Sequence, residues 1–133
     1  MPRRVHVVVS VALCAMLPIA SALAESRKKV RVGGERNLDA CGGVGVVVGL
    51  NPKGDNFLAV RSGPGSRYKM RDKLREGQMY FDCDAHGKWI GIVYSRNPNA
   101  TCGVTSPIAK RQAYRGPCKS GWIFRKYTKL IAG

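Results

Sequence analysis

The sequence predicts an all-β fold: a small antiparallel barrel of five to six strands with a disulfide-stapled insertion loop. Three observations lead there. From Cys41 onward, apolar residues recur at every second position in short runs, the period of a half-buried strand. Turns rich in Gly and Pro separate these runs. No stretch sustains a helical period.

Taken in order, residues 1–24 read as an export signal peptide. Arg3-Arg4 precede an apolar run from Val5 to Ala20, and Ala22-Leu23-Ala24 offers small residues where a signal peptidase reads. The run falls short of the ~20 apolar residues that span a bilayer, so no transmembrane segment is expected after cleavage. Residues 25–40 carry Arg27, Lys28, Lys29, Arg31 and Arg36 with little that is apolar. They read as a basic flexible arm. Residues 41–133 are then the folded domain.

Val44, Val46, Val48 and Leu50 share one parity opposite Gly45, Val47 and Gly49, a strand with one large-residue face. After the turn at Asn51–Asp55, Leu58 and Val60 mark a second strand. Ser62-Gly63-Pro64-Gly65-Ser66 must bend, since two glycines and a proline suit neither helix nor ladder. Residues 67–76 read as an extended segment with a turn. Met79, Phe81 and Cys83 oppose Tyr80, Asp82 and Asp84 on a third strand. A fourth places Ile90, Ile92 and Tyr94 opposite Trp89, Gly91 and Val93. Gly121–Phe124 and Lys129–Ile131 close the set.

The insertion, residues 95–118, has no clear element, and a loop that long is uncommon in a compact domain unless functional or stapled. Beyond the signal, four cysteines remain, Cys41, Cys83, Cys102 and Cys118. An even number in a small exported chain points to two disulfides. Of the three possible pairings, Cys41–Cys83 with Cys102–Cys118 is favoured, because the second pair closes the insertion locally. Zinc at Cys83-x-x-His86 lacks a second tight pair of ligands.

Composition narrows the function. The 133 residues leave room for one small domain, and Lys plus Arg exceed Asp plus Glu by 23 to 8, a net charge of +15. Apolar residues at 44% allow a core. A multi-domain enzyme, a polytopic membrane protein and an acidic binding module are excluded.

Specific runs then match a known family. Leu58-Ala59-Val60-Arg61-Ser62-Gly63-Pro64-Gly65-Ser66-Arg67-Tyr68 resembles the opening motif of the bacterial SH3 domain family. Leu74-Arg75-Glu76-Gly77, Gly87-Lys88-Trp89 and Gly121-Trp122…Tyr127…Leu130 resemble its later segments, so the likeness spans residues 57–131. Ala59 stands where the family has asparagine, and the insertion lies where it has a tight hairpin. The resemblance implies an SH3-like barrel in an exported binding module, often for peptidoglycan or short peptides.

No catalytic constellation is visible. His86 is the one histidine after the signal, and no Gly-x-Ser-x-Gly elbow occurs. Asp82, Asp84 and His86 alternate on one strand, a pattern that also fits the solvated face of an edge strand. The expected ligand groove is aromatic: Tyr68, Trp89, Tyr114, Trp122 and Tyr127. An indole on the non-core face offers large contact area and one N–H donor; the competing role for both tryptophans is to close the barrel ends. Arg61 is expected to hold the Ser62–Gly65 bend through backbone carbonyls. A basic surface is expected from Arg67, Lys69, Arg71, Lys73 and Arg75, projecting on one side of an extended strand, and from Lys110 and Arg111 in the insertion. The expected function is a non-catalytic, exported module, periplasmic or secreted, without metal or cofactor. Its partner would be peptidoglycan or another anionic envelope polymer. The alternative is a secreted protein–protein module, an inhibitor or host-directed factor, that meets an acidic partner through the insertion. Export disfavours nucleic acid, which the charge alone would permit.

Overall fold

The computed structural model describes residues 2–16 and 26–133. The expected cleavage site, Ala22-Leu23-Ala24, lies outside the described residues. Residues 2–16 form neither helix nor strand, and no helix among the described residues is long and apolar enough to cross a membrane.

The described residues are all-β, with nine strands where five to six were expected. They are β1 (Arg31–Val32), β2 (Gly43–Val47), β3 (Leu58–Arg61), β4 (Met70–Leu74), β5 (Met79–His86), β6 (Trp89–Tyr94), β7 (Gln112–Ala113), β8 (Lys119–Phe124) and β9 (Thr128–Ala132), with one 3₁₀ turn at Arg125–Tyr127. Seven form a sheet in the order β4-β3-β8-β6-β5-β2-β9, with antiparallel pairing throughout. The sheet does not close: β4 and β9 are its two edges. The closed barrel is therefore corrected to an open antiparallel sheet.

Each face of that sheet carries its own core. Val47, Leu58, Val60, Leu74, Tyr80, Ile90, Ile92, Tyr94 and Ile123 fill the inner face. The strands read at 58–61 and 89–94 supply them with the expected parity. The strand read at 44–50 is inverted and ends at Val47: Val47 is fully buried, while Val44 and Val46 are only half-buried. The reason is Tyr80. Its ring lies so close to Gly45 that a side chain there would overlap it. A ring from the neighbouring strand takes the space, so the small-residue face points inward.

The second core lies on the outer face, where Val32, Ala40, Cys41, Val93, Cys102 and Val104 are buried together. It joins the two segments read as flexible or structureless. Residues 26–40 are no flexible arm: Val30 and Val32 are 2% and 1% exposed, and β1 pairs antiparallel with β7 from the insertion. Lys28 N–H donates to Ser62 O at 2.9 Å, Tyr114 N–H to Val30 O at 2.9 Å and Gly34 N–H to Ile108 O at 2.9 Å. We call residues 26–32 the strap. It crosses β6 where Gly91 leaves room, since a Cβ there would fall 3.1 Å from Val30 Cγ1.

Both expected disulfides are present, Cys41–Cys83 and Cys102–Cys118. Both knit the outer core, and two disulfides fit an oxidising environment. Bonded to Cys41, Cys83 is no zinc ligand. A bulge leaves Cys83 as the extra residue of β5, because Asp82 faces Ile92 and Asp84 faces Gly91. The alternation of Asp82, Asp84 and His86 is broken there. Asp84 instead accepts Arg31 N–H at 3.0 Å and pairs with Arg111 at 2.8 Å.

A polar cluster ties β4 to the start of the insertion. Asp72 accepts Arg96 at 2.9 and 3.0 Å and the Tyr94 hydroxyl at 2.6 Å. The Arg96 hydrogen bond, opposed in part by burial and aided by Tyr94, holds the Asp72 carboxyl well below the usual carboxylate range. Burial, then the bond to Asp72, pushes the Tyr94 hydroxyl up. A carboxyl lowered in the folded state stabilises above its unfolded pKa of ~3.9 and loses that contribution as pH falls. Asp72→Asn is therefore expected to cost about 1–2 kcal/mol at pH 7, the site being partly open to solvent. The gap from the unmodified protein should narrow below pH ~4 in denaturant titrations. A gap independent of pH would refute this role for the carboxylate.

Candidate functional site

The strap determines which tryptophan is open. Trp89, Trp122 and Phe124 share the outer face of β6 and β8, where Trp89 faces Phe124 and Gly91 faces Trp122. The strap covers Trp122: it is 1% exposed, and its indole N–H donates to Lys28 O at 2.7 Å. Trp122 thus belongs to the packing and not to the groove, contrary to its expected place. Trp89, beyond the strap's end, stays half-buried.

Trp89, Phe124 and Tyr127 form a run of tilted rings, with centroids 5.4 and 6.3 Å apart. This run and Tyr68 line a groove of about 1310 Å³, completed by Leu50 and Phe57. Three expected aromatic residues, Tyr68, Trp89 and Tyr127, are thus brought together. Tyr114 lies elsewhere. Its hydroxyl donates to Cys102 O at 2.7 Å and accepts Cys118 N–H at 3.1 Å, fastening the stapled insertion internally. Reading the residues missed Phe124, Phe57 and Leu50; the shared parity of Phe124 with Trp122, opposite Trp89, was the available signal.

The walls are held by specific bonds. Arg61 Nη1 donates to Tyr68 O at 3.0 Å, closing the bend in the role expected of it. The Tyr68 ring packs over Gly63 so closely that any side chain at 63 would displace it. Opposite, Glu76 accepts Gly49 N–H at 2.9 Å and Leu50 N–H at 3.0 Å, pinning the 49–57 loop. Among the described residues, Arg61, Arg67 and Lys126 line the groove with one acid, Asp55. The rim is therefore cationic over an aromatic floor.

The remaining basic residues do not form one stripe. Val60 faces Asp72 and Arg61 faces Met70, which leaves Arg71 as a bulge residue. The parity of Arg67 and Lys69 is thereby broken from that of Lys73. Lys73 Nζ sits 4.4 Å from the Phe57 ring centroid, and Arg75 donates to Asn56 O at 3.0 Å, so both brace the groove loop from behind. Lys110 is exposed in the insertion. Arg111 crosses Gly33 and Gly34 to reach Asp84, donating on the way to Gly33 O at 3.4 Å. Both glycines have positive φ, 80° and 111°, and a Cβ at Gly33 would meet Ile108 O at 2.7 Å. Arg111 is thus a latch over the strap.

Chemically, the groove can stack rings or sugar faces on its floor and meet anionic groups at its rim. Compared with protein-family models, curated proteins and solved structures, the chain has no match.

Proposed function

We propose that the protein is an exported, SH3-like, non-catalytic module that binds a cell-envelope component, peptidoglycan first among them, in the aromatic groove. The observation that carries this reading is the aligned, half-open run of Trp89, Phe124 and Tyr127 beneath a rim of cations. Flat aromatic faces suit sugar rings and apolar peptide side chains, and the cations suit the carboxylates of stem peptides. The resemblance over residues 57–131 and the leader-like residues 1–24 support the same assignment. The alternative, an acidic protein met through the insertion, has weaker support, because Val104 and Cys102 are turned inward at 0% and 5% exposure.

Purified protein should co-sediment with sacculi at low and moderate salt. Trp89→Ala combined with Tyr127→Ala should reduce binding by about tenfold or more. Both side chains are partly open, so the unfolding midpoint should move far less than for a buried ring. Binding that survives the double substitution would exclude the groove; no binding by the unmodified protein would remove the envelope assignment.

A further inference from the structure

The strap has an inner and an outer side. Val30 and Val32 are buried, and the Lys28 carbonyl is held by Trp122. The intervening residues Arg27, Lys29 and Arg31 are exposed. In extended chain, alternate residues lie ~7 Å apart on one side. Tyr114 N–H donates to Val30 O at 2.9 Å just past the pair Arg31↔Ala113, and continuing that register by one more residue brings Arg115 to the level of Lys29. Cross-strand neighbours stand ~5 Å apart. Four cations from segments read as separate surfaces therefore form one outward ribbon. Arg27, Lys29 and Arg115 make no ion pair among the described residues, and the Arg31 guanidinium donates to a carbonyl, Arg111 O, at 3.3 Å. Asp84, which accepts the Arg31 N–H, is paired with Arg111 at 2.8 Å.

We infer that this ribbon is a second binding site, for a linear phosphodiester polymer, separate from the aromatic groove and independent of the reading given to it. Regular cation spacing on a fixed backbone matches a chain with one negative charge per repeat. Because the strap is already ordered, binding does not carry the entropic cost of ordering a flexible arm. A bilayer surface would favour an apolar side chain among the cations. Residues 26–32 and 112–116 expose no large apolar group. The phosphodiester chemistry is common to wall polyol-phosphates and to single-stranded nucleic acid.

The test uses the disulfide-intact protein and four probes: poly(glycerol phosphate), oligothymidylate, inorganic phosphate and phosphatidylglycerol vesicles. Both polymers should bind, the tighter one naming the source, and inorganic phosphate at equal phosphate concentration should not displace them. Replacing Arg27, Lys29, Arg31 and Arg115 by Gln should weaken polymer binding by about tenfold or more, and the log–log salt slope should fall by about 3. Replacing Lys53, Lys69, Lys88 and Lys129 by Gln removes the same charge elsewhere and should cost less than about threefold. The three arginines changed to Lys should retain binding, and protected Val30 and Val32 amides would show the strap still docked. Equal losses in the two Gln sets would overturn the inference. So would ribbon-dependent binding to vesicles without binding to the polymers.

Discussion

Trp122→Ala is expected to lower the unfolding free energy by roughly 3–5 kcal/mol, the range for removing a large buried aromatic side chain. Trp122 is 1% exposed, so its whole ring is lost from contact. The substitution also leaves the Lys28 carbonyl without its donor. Trp122→Phe separates the two contributions. It keeps most of the packing and loses the N–H, at a cost of about 1–3 kcal/mol. Urea unfolding gives the magnitude, and hydrogen exchange at Val30 and Val32 gives the place. Loss of protection confined to the strap in Trp122→Phe is expected, because the indole is its central anchor. Unchanged protection there, with lowered global stability, would mean the strap is held by β7 alone.

The disulfides carry the second large effect, and their order is predictable. Cys41–Cys83 spans 42 residues and Cys102–Cys118 spans 16. In the chain-entropy picture these loops correspond to about 4 and about 3 kcal/mol. Cys41→Ala with Cys83→Ala should therefore be the more damaging pair. Its loss loosens the joint between residues 40–41 and β5, and with it the outer core. Cys102→Ala with Cys118→Ala should free the insertion but leave the inner core intact, so strands β3 and β8 keep their exchange protection. Denaturant titration of both pairs, with urea m-values, tests the order. A reversed order would show that strain or packing in the native state outweighs loop entropy here.

The alternation at 58–61 and 89–94 was readable. Leu58/Val60 and Ile90/Ile92/Tyr94 declare their inner face, and Trp89 its outer one. The disulfide pairing followed from loop closure. Three features escaped for a common reason: each depends on a partner distant in sequence. Val30 and Val32 are two apolar residues among cations, too few for a pattern. They become a strand only because β7 lies beside them. The inversion at Gly45–Val47 needs the Tyr80 ring. The bulges at Arg71 and Cys83 shift parity by one residue, which residue type alone does not announce. At the groove, Tyr68, Trp89 and Tyr127 were legible as exposed aromatics. Separating Trp122 from Trp89 required knowing where the strap ends, and nothing local to either tryptophan encodes that.

The bond from Trp122 to Lys28 joins residues 94 apart in the chain. A ribosome delivers Lys28 long before Trp122. Until β8 has emerged and paired, the strap has no indole to cap and no ribbon partner to join, and its cations remain on a loose tail. Closure of so long a loop belongs to the late, slow part of folding. The cationic ribbon is therefore a mark of late assembly: it exists in ordered form only on molecules whose β7 and β8 are in place.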